Sequence, residues 1–286
     1  MKTILLQFDT DPHPSSFDRV VAVDAGIDEV FSYGAITPDN VTPLVHGALF
    51  TRGPKDLTHT AIFIGGSQVD AGEALLAKVR SCFFGPVRVS VGLDSNGSNT
   101  TAAAAVLSAR RHLPLQGTRA LVLAGTGPVG QRVAELLAAE QAHVRLASRR
   151  LDSAHRASEA IRARDPGAEI EPVSTASPEA LAEACRDVEL IISAGAAGVE
   201  LLSTGLRSRL PQLRVAIDLN AVPPVGIAGI SPLDKAVEQQ GTLCYGAIGV
   251  GGLKMKIHKA LLKRLFESCD QVLETAEIYR IGCELV

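Results

Sequence analysis

A short apolar run that leads directly into a glycine-rich turn constrains the fold of this chain more than any other feature. Residues 119–124 (RALVLA) have the composition of a buried strand, and residues 125–130 (GTGPVG) follow with GxGxxG spacing before a helical stretch. In this context Gly125 permits a tight turn, Gly127 lets a pyrophosphate approach the backbone, and Gly130 lets helix and strand pack closely. The alternative is a glycine turn in an α/β fold that binds no nucleotide. We predict a Rossmann-type dinucleotide site whose turn consists of Gly125, Thr126, Gly127, Pro128, Val129 and Gly130.

The end of the next predicted strand indicates which dinucleotide is bound. Residues 144–147 form this strand and run into Ser148, Arg149 and Arg150, with no acidic residue before Asp152. An NAD site usually has Asp or Glu here to bind the ribose 2′-hydroxyl, whereas arginine forms charge-assisted hydrogen bonds with a 2′-phosphate. The alternative is that both arginines lie on a solvated helix start. The pattern favours NADP, with NAD as second choice, and makes all three residues candidate cofactor ligands.

Two later strands of the same predicted sheet end in small or polar residues. Residues 188–193 lead into AGAAG, and residues 215–218 lead into Leu219, Asn220 and a Pro-Pro pair. Ligands of open parallel sheets lie beyond the carboxyl ends of the strands. We therefore predict that Ser193, Ala194 and Asn220 contact the cofactor. Asp218 is either a turn former or a site residue.

Strand-like and helical segments alternate along nearly the whole chain, which is typical of α/β proteins with parallel sheets. The pattern predicts an N-terminal α/β substrate domain (1–105), a doubly wound Rossmann domain (106–250) and a C-terminal helix (251–286) that packs back on the first domain. Within this scheme we predict a strand at 87–93, a turn-rich segment at 33–54 and one long amphipathic helix from about 253 to 281.

Two segments carry the polar residues expected of a substrate site. The loop 94–101 (DSNGSNTT) follows a predicted strand, and a helix cap would explain only one or two of its polar residues, so Asp94 and Asn96 are candidate substrate ligands. Residues 246–252 contain four glycines and precede Lys254 and Lys256. Lysine in the first turn of a helix opposes the macrodipole. We predict that Lys254 points towards the substrate; the alternatives are that Lys256 does so instead or that both lysines reach solvent.

Charge and composition exclude several classes of function. Lys and Arg number 28 against 31 Asp and Glu, a net charge of −3, which lacks the basic excess of nucleic-acid-binding proteins. The five cysteines form no CxxC and the seven histidines no HExxH, so we predict no metal site. No window approaches the ~18 apolar residues of a membrane span, and the N-terminus lacks a secretory signal. We predict a cytoplasmic protein that acts on a small molecule.

Seven motifs resemble the methylene-tetrahydromethanopterin and methylene-tetrahydrofolate dehydrogenases of methylotrophic bacteria, and the similarity runs nearly end to end. They are QFDTD (7–11), YGxxTPDNV (33–41), TRG (51–53), FFGP (83–86), LDSNGSNTTAAA (93–104), LAGTGPVG (123–130) and GGLKxKxH (251–258). The glycine motif alone is weak evidence for this family, whereas SNGSNTTAAA together with GGLKxKxH is specific to it. The similarity is loose between residues 165 and 215.

This resemblance implies an NADP-dependent enzyme of one-carbon metabolism. The implied reaction moves a hydride reversibly from the methylene carbon between two pterin nitrogens to NADP, giving the methenyl cation in a cleft between the two domains. No proton has to move, which agrees with the absence of an obvious His–Asp dyad in the sequence. The resemblance further implies a homo-oligomer, with a trimer as the suggested form. The implied catalytic residues are Asp18, Thr100 and Lys254, and Thr101 is an implied substrate ligand. Lys256 is a further candidate substrate ligand because it follows the glycine segment.

Two other functions remain as alternatives. A shikimate-dehydrogenase-like NADP oxidoreductase would need a Lys and Asp proton shuttle, and the motif expected around Lys55 and Asp56 is absent. A non-catalytic NADP-binding sensor would leave the polar residues at 94–101 unexplained. The sequence leaves open the choice between tetrahydromethanopterin and tetrahydrofolate, strict or dual cofactor use, the oligomeric state, and which of Lys254 and Lys256 faces the pterin.

Overall fold

The computed structural model describes residues 1–286 as two compact units. The first unit consists of Met1–Thr100 with Met255–Val286, and the second of Thr101–Lys254. We predicted boundaries after residues 105 and 250, and the structure has them after residues 100 and 254, a difference of four or five residues. Both observed boundaries fall inside helices, Ser98–Arg110 and Ala247–Arg264. Which ligand each predicted domain binds stays a prediction at this point.

Twelve strands and ten α-helices follow one another in βα alternation through most of the chain. In order they are β1 (Ile4–Asp9), α1 (Ser16–Asp24), β2 (Glu29–Tyr33), α2 (Thr42–Phe50), β3 (Thr60–Gly65), α3 (Val69–Ser81), β4 (Ser90–Leu93), α4 (Ser98–Arg110), β5 (Arg119–Leu123), α5 (Pro128–Ala139), β6 (His143–Ser148), α6 (Leu151–Arg164), β7 (Ile170–Ser174), α7 (Pro178–Ala184), β8 (Leu190–Ser193), α8 (Thr204–Arg207), β9 (Val215–Asp218), β10 (Lys235–Gln239), β11 (Thr242–Tyr245), α9 (Ala247–Arg264), β12 (Val272–Leu273) and α10 (Thr275–Cys283). Two 3₁₀ turns, Pro54–His59 and Ser95–Gly97, precede β3 and α4.

The first unit is built on a parallel sheet with the strand order β12-β4-β3-β1-β2. Every residue of β3 is buried, because its run AIFI is apolar on both faces, as a central parallel strand requires. The strand order reverses between β1 and β3. In open α/β sheets ligands bind beyond the carboxyl ends of the strands at such a switch point. The residues that follow Asp9 and Gly65 lie at this switch point.

The C-terminal segment differs from the single long helix that we predicted. Helix α9 ends at Arg264, the chain then forms β12, and α10 begins at Thr275. Strand β12 pairs in parallel with β4, and the hydroxyl of Ser90 donates to the carbonyl of Ser268 at 2.9 Å. The helical periodicity of the sequence cannot reveal a two-residue strand, because a strand this short forms only where a neighbouring strand pairs with it.

The second unit has a seven-stranded sheet with the order β10-β11-β9-β8-β5-β6-β7. All neighbouring strands are parallel except the β10–β11 hairpin at one edge. The parallel part has the doubly wound Rossmann order, with its reversal between β5 and β8. The structure therefore confirms the predicted α/β fold class, and it places the glycine turn at the carboxyl end of the central strand β5.

Several predicted element limits are wrong. The segment 33–54, predicted to be turn-rich, contains α2, whose Val45, Ala48 and Leu49 are buried. The predicted strand 87–93 is paired only over Ser90–Leu93, because residues 84 and 87 form a small antiparallel bridge instead. The sequence analysis did not predict the hairpin of β10 and β11. No helix of the structure combines the length and the apolar composition that crossing a membrane requires.

Candidate functional site

The glycine turn after β5 has the geometry that a pyrophosphate needs. Ala124 adopts a left-handed φ of 52° and turns the chain. A Cβ on Gly130 would lie 2.7 Å from the Cα of Gly125, so only glycine permits this helix–strand approach. A Cβ on Gly127 would meet only the Ala124 carbonyl oxygen, at 3.9 Å, and otherwise open space. No side chain caps α5, which leaves first-turn N–H groups available to an anion.

Arg149 and Arg150 follow β6 and line two different cavities. Arg149 borders a cavity of about 530 Å³ with apolar walls that include Leu123, Pro178, Leu181 and Leu201. Its polar lining residues include Thr175, Ser177, Glu200, Ser203 and Arg209. Arg150 borders a cavity of about 350 Å³ next to Thr126 of the glycine turn. The two adjacent arginines are therefore divided between these two cavities.

A buried carboxylate holds the loop that follows β9. Asp218, 1% exposed, accepts hydrogen bonds from the N–H groups of Asn220 at 3.1 Å and Ile227 at 2.9 Å. Burial raises the pKa of Asp218 above its ordinary 3.8, although these N–H groups oppose the shift. The Asn220 amide donates to Pro224, and its side-chain oxygen accepts the Val222 N–H. Of the two alternatives for Asp218, these contacts are those of a turn former.

Two other candidate cofactor residues lie at the end of β8. Ser193 is fully buried and aligned with Asp218 on the neighbouring strand. The N–H of Ala194 donates to the Leu123 carbonyl at 3.0 Å, so the chain continues the sheet for one residue beyond β8. Both residues thus lie at the carboxyl edge of the sheet that also carries the glycine turn.

In the first unit, most polar residues of the 94–101 loop form hydrogen bonds with one another. The Asp94 carboxylate accepts the N–H groups of Asn99 and Thr100 at 2.9 and 3.1 Å, and the Thr100 hydroxyl at 2.6 Å. The Asn99 amide donates to Leu93 and accepts from Thr275. Asp94 and Thr100 are buried, and their contacts are those of a helix cap. This arrangement supports the loop, and the substrate-side roles of Asp94 and Thr100 stay predictions.

Asn96 is the exposed polar residue of the same loop. Its φ is 55°, in the left-handed region, and its N–H donates to the Gly66 carbonyl at 2.7 Å. This contact ties the loop to the segment after β3, at the carboxyl edge of the sheet. Thr101, in the second unit, is half-buried.

The switch point of the first sheet carries a carboxylate and an imidazole that the sequence analysis did not connect. The carboxylate of Asp18, on the first turn of α1, lies where a Cβ on Gly65 would meet it at 3.2 Å. His258 Nε2 lies 3.8 Å from Asp18 Oδ1, and the imidazole, 1% exposed, stacks on Phe63. The sequence shows no obvious His–Asp dyad, because these two residues are 240 positions apart and meet only through the fold.

Lys254 and Lys256 do not occupy the first turn of a helix. Helix α9 begins at Ala247, so both lysines lie in its third turn and the macrodipole argument was wrong. Two of the four preceding glycines have a packing role: a Cβ on Gly246 would collide with the Ser231 carbonyl, and one on Gly249 with the Asp234 carbonyl. Lys254 is half-buried and Lys256 exposed. The position of Lys254 as a substrate residue stays a prediction.

Comparison with known proteins places these sites in context. A family model for the N-terminal domain of methylene-tetrahydromethanopterin dehydrogenase matches residues 16–96, and one for the NADP-binding domain of saccharopine dehydrogenase matches residues 121–199. The chain is 45% identical over 286 residues to the bifunctional protein MdtA of Methylorubrum extorquens, covering 99% of both chains. It is 32% identical to the NAD(P)-dependent methylenetetrahydromethanopterin dehydrogenase of the same organism, covering 96% of this chain and 95% of the relative.

Solved structures share the fold at much lower identity. Shikimate 5-dehydrogenase from Listeria monocytogenes matches with a TM-score of 0.55 and 13% identity, covering 100% of this chain and 96% of that one. Quinate dehydrogenase from Corynebacterium glutamicum matches with a TM-score of 0.53 and 13% identity, covering 99% of each. At this identity the likeness extends to the fold alone.

Proposed function

The chain belongs to the methylene-tetrahydromethanopterin dehydrogenase family, and on this premise we propose that it transfers a hydride reversibly between methylene-tetrahydromethanopterin and NADP. The observation that carries the proposal is its 32% identity, over 96% of the chain, to a relative named for that activity. The glycine turn fits a dinucleotide, and the strand end after it has two arginines where NAD sites have an acid. The shikimate-like alternative has only the shared fold in its favour.

The chemistry requires positioning rather than acid–base catalysis. One C–H bond of the methylene bridge breaks, and its electron pair leaves with the hydrogen as hydride. Because the flanking nitrogen lone pairs stabilise the methenyl cation that forms, no proton has to move. NADP, when bound, supplies the nicotinamide carbon that accepts the hydride. The protein therefore contributes mainly by orienting the two reactants and by placing charge near the developing cation.

On the cofactor side, the backbone at Gly127 and the free N–H groups of α5 hold the pyrophosphate. Arg149 and Arg150 take the adenosine half, since both line cavities beside the glycine turn. Ser193, Ala194 and Asn220 lie at the same sheet edge and take the nicotinamide half. The Asp218 carboxylate keeps the Asn220 loop in place through two backbone hydrogen bonds.

On the substrate side, Asp18 is the residue best placed to act on charge. Its carboxylate lies at the switch point of the first sheet, where it can stabilise the methenyl cation electrostatically. Lys254 bonds the polar edge of the pterin ring, since a cation close to the reacting carbon would oppose the reaction. Asn96, Thr101 and Lys256 offer polar contacts to the rest of the substrate. Thr100 acts indirectly, because its hydroxyl orients Asp94 beneath the loop.

We also propose that the protein works in the cytoplasm as a homo-oligomer without a nucleic-acid or membrane partner. The trimer that the family resemblance implies is the specific form proposed. Light scattering coupled to size-exclusion chromatography tests it directly. A particle of one chain's mass, 30.0 kDa, would contradict the oligomer.

Absorbance spectroscopy tests the reaction itself. Methylene-tetrahydromethanopterin and methylene-tetrahydrofolate are each mixed with NADP or NAD, and the reduced-nicotinamide and methenyl bands are followed. We expect turnover with NADP and tetrahydromethanopterin; binding of NADP without oxidation of either pterin would reject the proposed reaction.

Two variants examine the substrate side in the same assay. Asp18→Ala and Lys254→Ala should each lower kcat/KM for the pterin by about 10-fold or more, as expected for loss of a charged contact in the transition state. Lys259→Ala is the matched control, because Lys259 lies on the same helix as Lys254 and pairs with the exposed Asp24 at 2.9 Å. Unchanged kinetics in the first two variants would remove those residues from the proposed site.

A further inference from the structure

The smaller cavity beside the glycine turn has a polar, positively charged lining. Its volume is about 350 Å³, and its lining residues are Thr126, Gln131, Arg150, Ser153, Arg156, Ala157 and Ala160. Two of these side chains are arginines, and none is acidic. A cavity of this size at the start of a helix, with two guanidinium groups and two hydroxyls, suits a phosphate monoester.

The guanidinium of Arg156 is held at this cavity by its own helix. Arg156 and Ser153 are three residues apart on α6, and Arg156 Nη2 donates to Ser153 Oγ at 3.2 Å. Arg150 immediately precedes α6, and its N–H donates to Ser148 Oγ at 3.3 Å. No side chain caps this helix, so its first N–H groups add to the positive potential, which the Asp152 carboxylate in the same turn partly offsets. The sequence analysis missed Arg156 because it considered only Ser148, Arg149 and Arg150 at the end of the strand. Arg156 reaches the cavity from the second turn of α6.

The larger cavity has a different character. The walls beside Arg149 include Leu123, Pro178, Leu181 and Leu201, which suit a flat apolar ring. Arg209 also lines this cavity, but the Glu200 carboxylate beside it opposes a second phosphate, and no acidic residue lines the smaller cavity. A guanidinium at such a wall can stack on an adenine ring through cation–π attraction. Adenine is common to NAD and NADP, so a residue that contacts it does not distinguish the two cofactors.

We infer that Arg150 and Arg156, assisted by Ser153, bind the 2′-phosphate of NADP, while Arg149 packs against adenine. The inference rests on the proposed use of NADP and names the residues that give the site its preference for NADP over NAD. It differs from the sequence prediction, which assigned Arg149 and Arg150 the same role.

Calorimetric binding of adenosine 2′,5′-bisphosphate and of adenosine 5′-monophosphate tests the inference without any turnover. The two probes differ only by the 2′-phosphate. Arg156→Ala should weaken binding of the bisphosphate about 10-fold to 100-fold and leave the monophosphate within about 2-fold, in line with loss of one charge-assisted hydrogen-bonding group. Arg156→Lys should recover part of the loss, since it keeps the charge without the planar fork.

Two further variants complete the design. Arg149→Ala should weaken both probes by the same factor, because adenine is present in each. Arg164→Ala is the matched control: Arg164 lies on the same helix, pairs with Glu135 at 3.2 Å and does not line the cavity. It should leave both affinities unchanged. Thermal unfolding of every variant verifies that the exposed substitutions leave the fold intact.

The outcomes separate this inference from the proposed function. If the unmodified protein prefers the bisphosphate and Arg156→Ala keeps that preference, the assignment of Arg156 is overturned and NADP use stands. If Arg156→Ala weakens both probes equally, Arg156 does not read the 2′-phosphate. If the unmodified protein shows no preference, the NADP part of the proposed function fails as well. The expected binding pattern without pterin oxidation would support the inference and reject the proposed reaction.

Discussion

A single carboxylate, that of Asp94, organises the start of α4. It accepts two backbone N–H groups and one hydroxyl while only 2% exposed. A buried polar group is tolerated when its hydrogen-bonding capacity is satisfied, and these three contacts satisfy both carboxyl oxygens of Asp94. The polar density of the loop is therefore explained mainly by mutual bonding, and Asn96 is left as its exposed polar group.

Two glycines of the cofactor turn should respond differently to the same substitution. Gly130→Ala places a Cβ 2.7 Å from the Cα of Gly125, and overpacking of this kind costs about 1–3 kcal/mol. Gly127→Ala meets no atom closer than 3.9 Å in the free protein, so it should leave the free energy of unfolding nearly unchanged. It should nevertheless weaken NADP binding, because the added methyl group occupies the space needed by the pyrophosphate.

Urea denaturation and calorimetry with NADP measure the two effects separately. Gly130→Ala should reduce both quantities, whereas Gly127→Ala should reduce only the affinity. Equal stability losses in both variants would show that the space beside Gly127 is not open to a ligand.

At the scale of elements, the loop after β9 depends on a carboxyl group whose pKa is raised by burial. Asp218 binds its proton more tightly in the folded protein than in the unfolded chain, where the pKa is near 3.8. Between these two pKa values the folded state holds more protons, so the free energy of unfolding falls as pH rises through this window. Asp218→Asn removes the titrating group, so the free energy of unfolding of this variant should not show the fall that Asp218 causes in this pH window.

Urea denaturation from about pH 3 to about pH 6 measures the difference between the unmodified protein and Asp218→Asn. Asp28→Asn is a control, because the pH dependence that Asp28 gives to the free energy of unfolding has the opposite sign. Hydrogen bonds from Thr3 lower the pKa of Asp28, so Asp28 contributes stability that is lost as pH falls through the folded pKa. A pH-independent difference for Asp218→Asn would contradict the raised pKa of Asp218.

At the scale of the whole molecule, the first unit is completed by the last part of the chain. Residues 255–286 belong to it, and β12 adds a strand beside β4 from about 180 positions away, with Ser90 bonded to both Ser268 and Gln271. Contacts of such high sequence separation form late and slowly in folding. The first unit can therefore close its sheet only after synthesis has passed the entire second unit.

Leu273 tests how much this closure contributes to stability. It is 4% exposed in β12, and Leu273→Ala should lower the free energy of unfolding by about 2–5 kcal/mol. Leu285→Ala is the matched control, since Leu285 is 41% exposed and its loss should change stability by less than about 0.5 kcal/mol. Equilibrium urea denaturation gives both values; similar small losses would mean that β12 contributes little to the first unit.

Local patterns in the sequence were sufficient for the fold class, the position of the glycine turn and the family. A strand, its glycine turn and the following helix are contiguous, so their residues and spacing alone record the geometry around Gly127 and Gly130. The comparisons confirm the family, and the sheet orders confirm the α/β class.

Only the tertiary structure decided which distant residues meet. It brought His258 to 3.8 Å from Asp18, added β12 to the first sheet, and placed Lys254 in the third turn of α9 rather than the first. It also separated Arg149 from Arg150 by directing them to different cavities. The physical reason is that a sequence pattern reports which face of its own element a residue occupies, whereas its partners are set by packing between elements far apart in the chain.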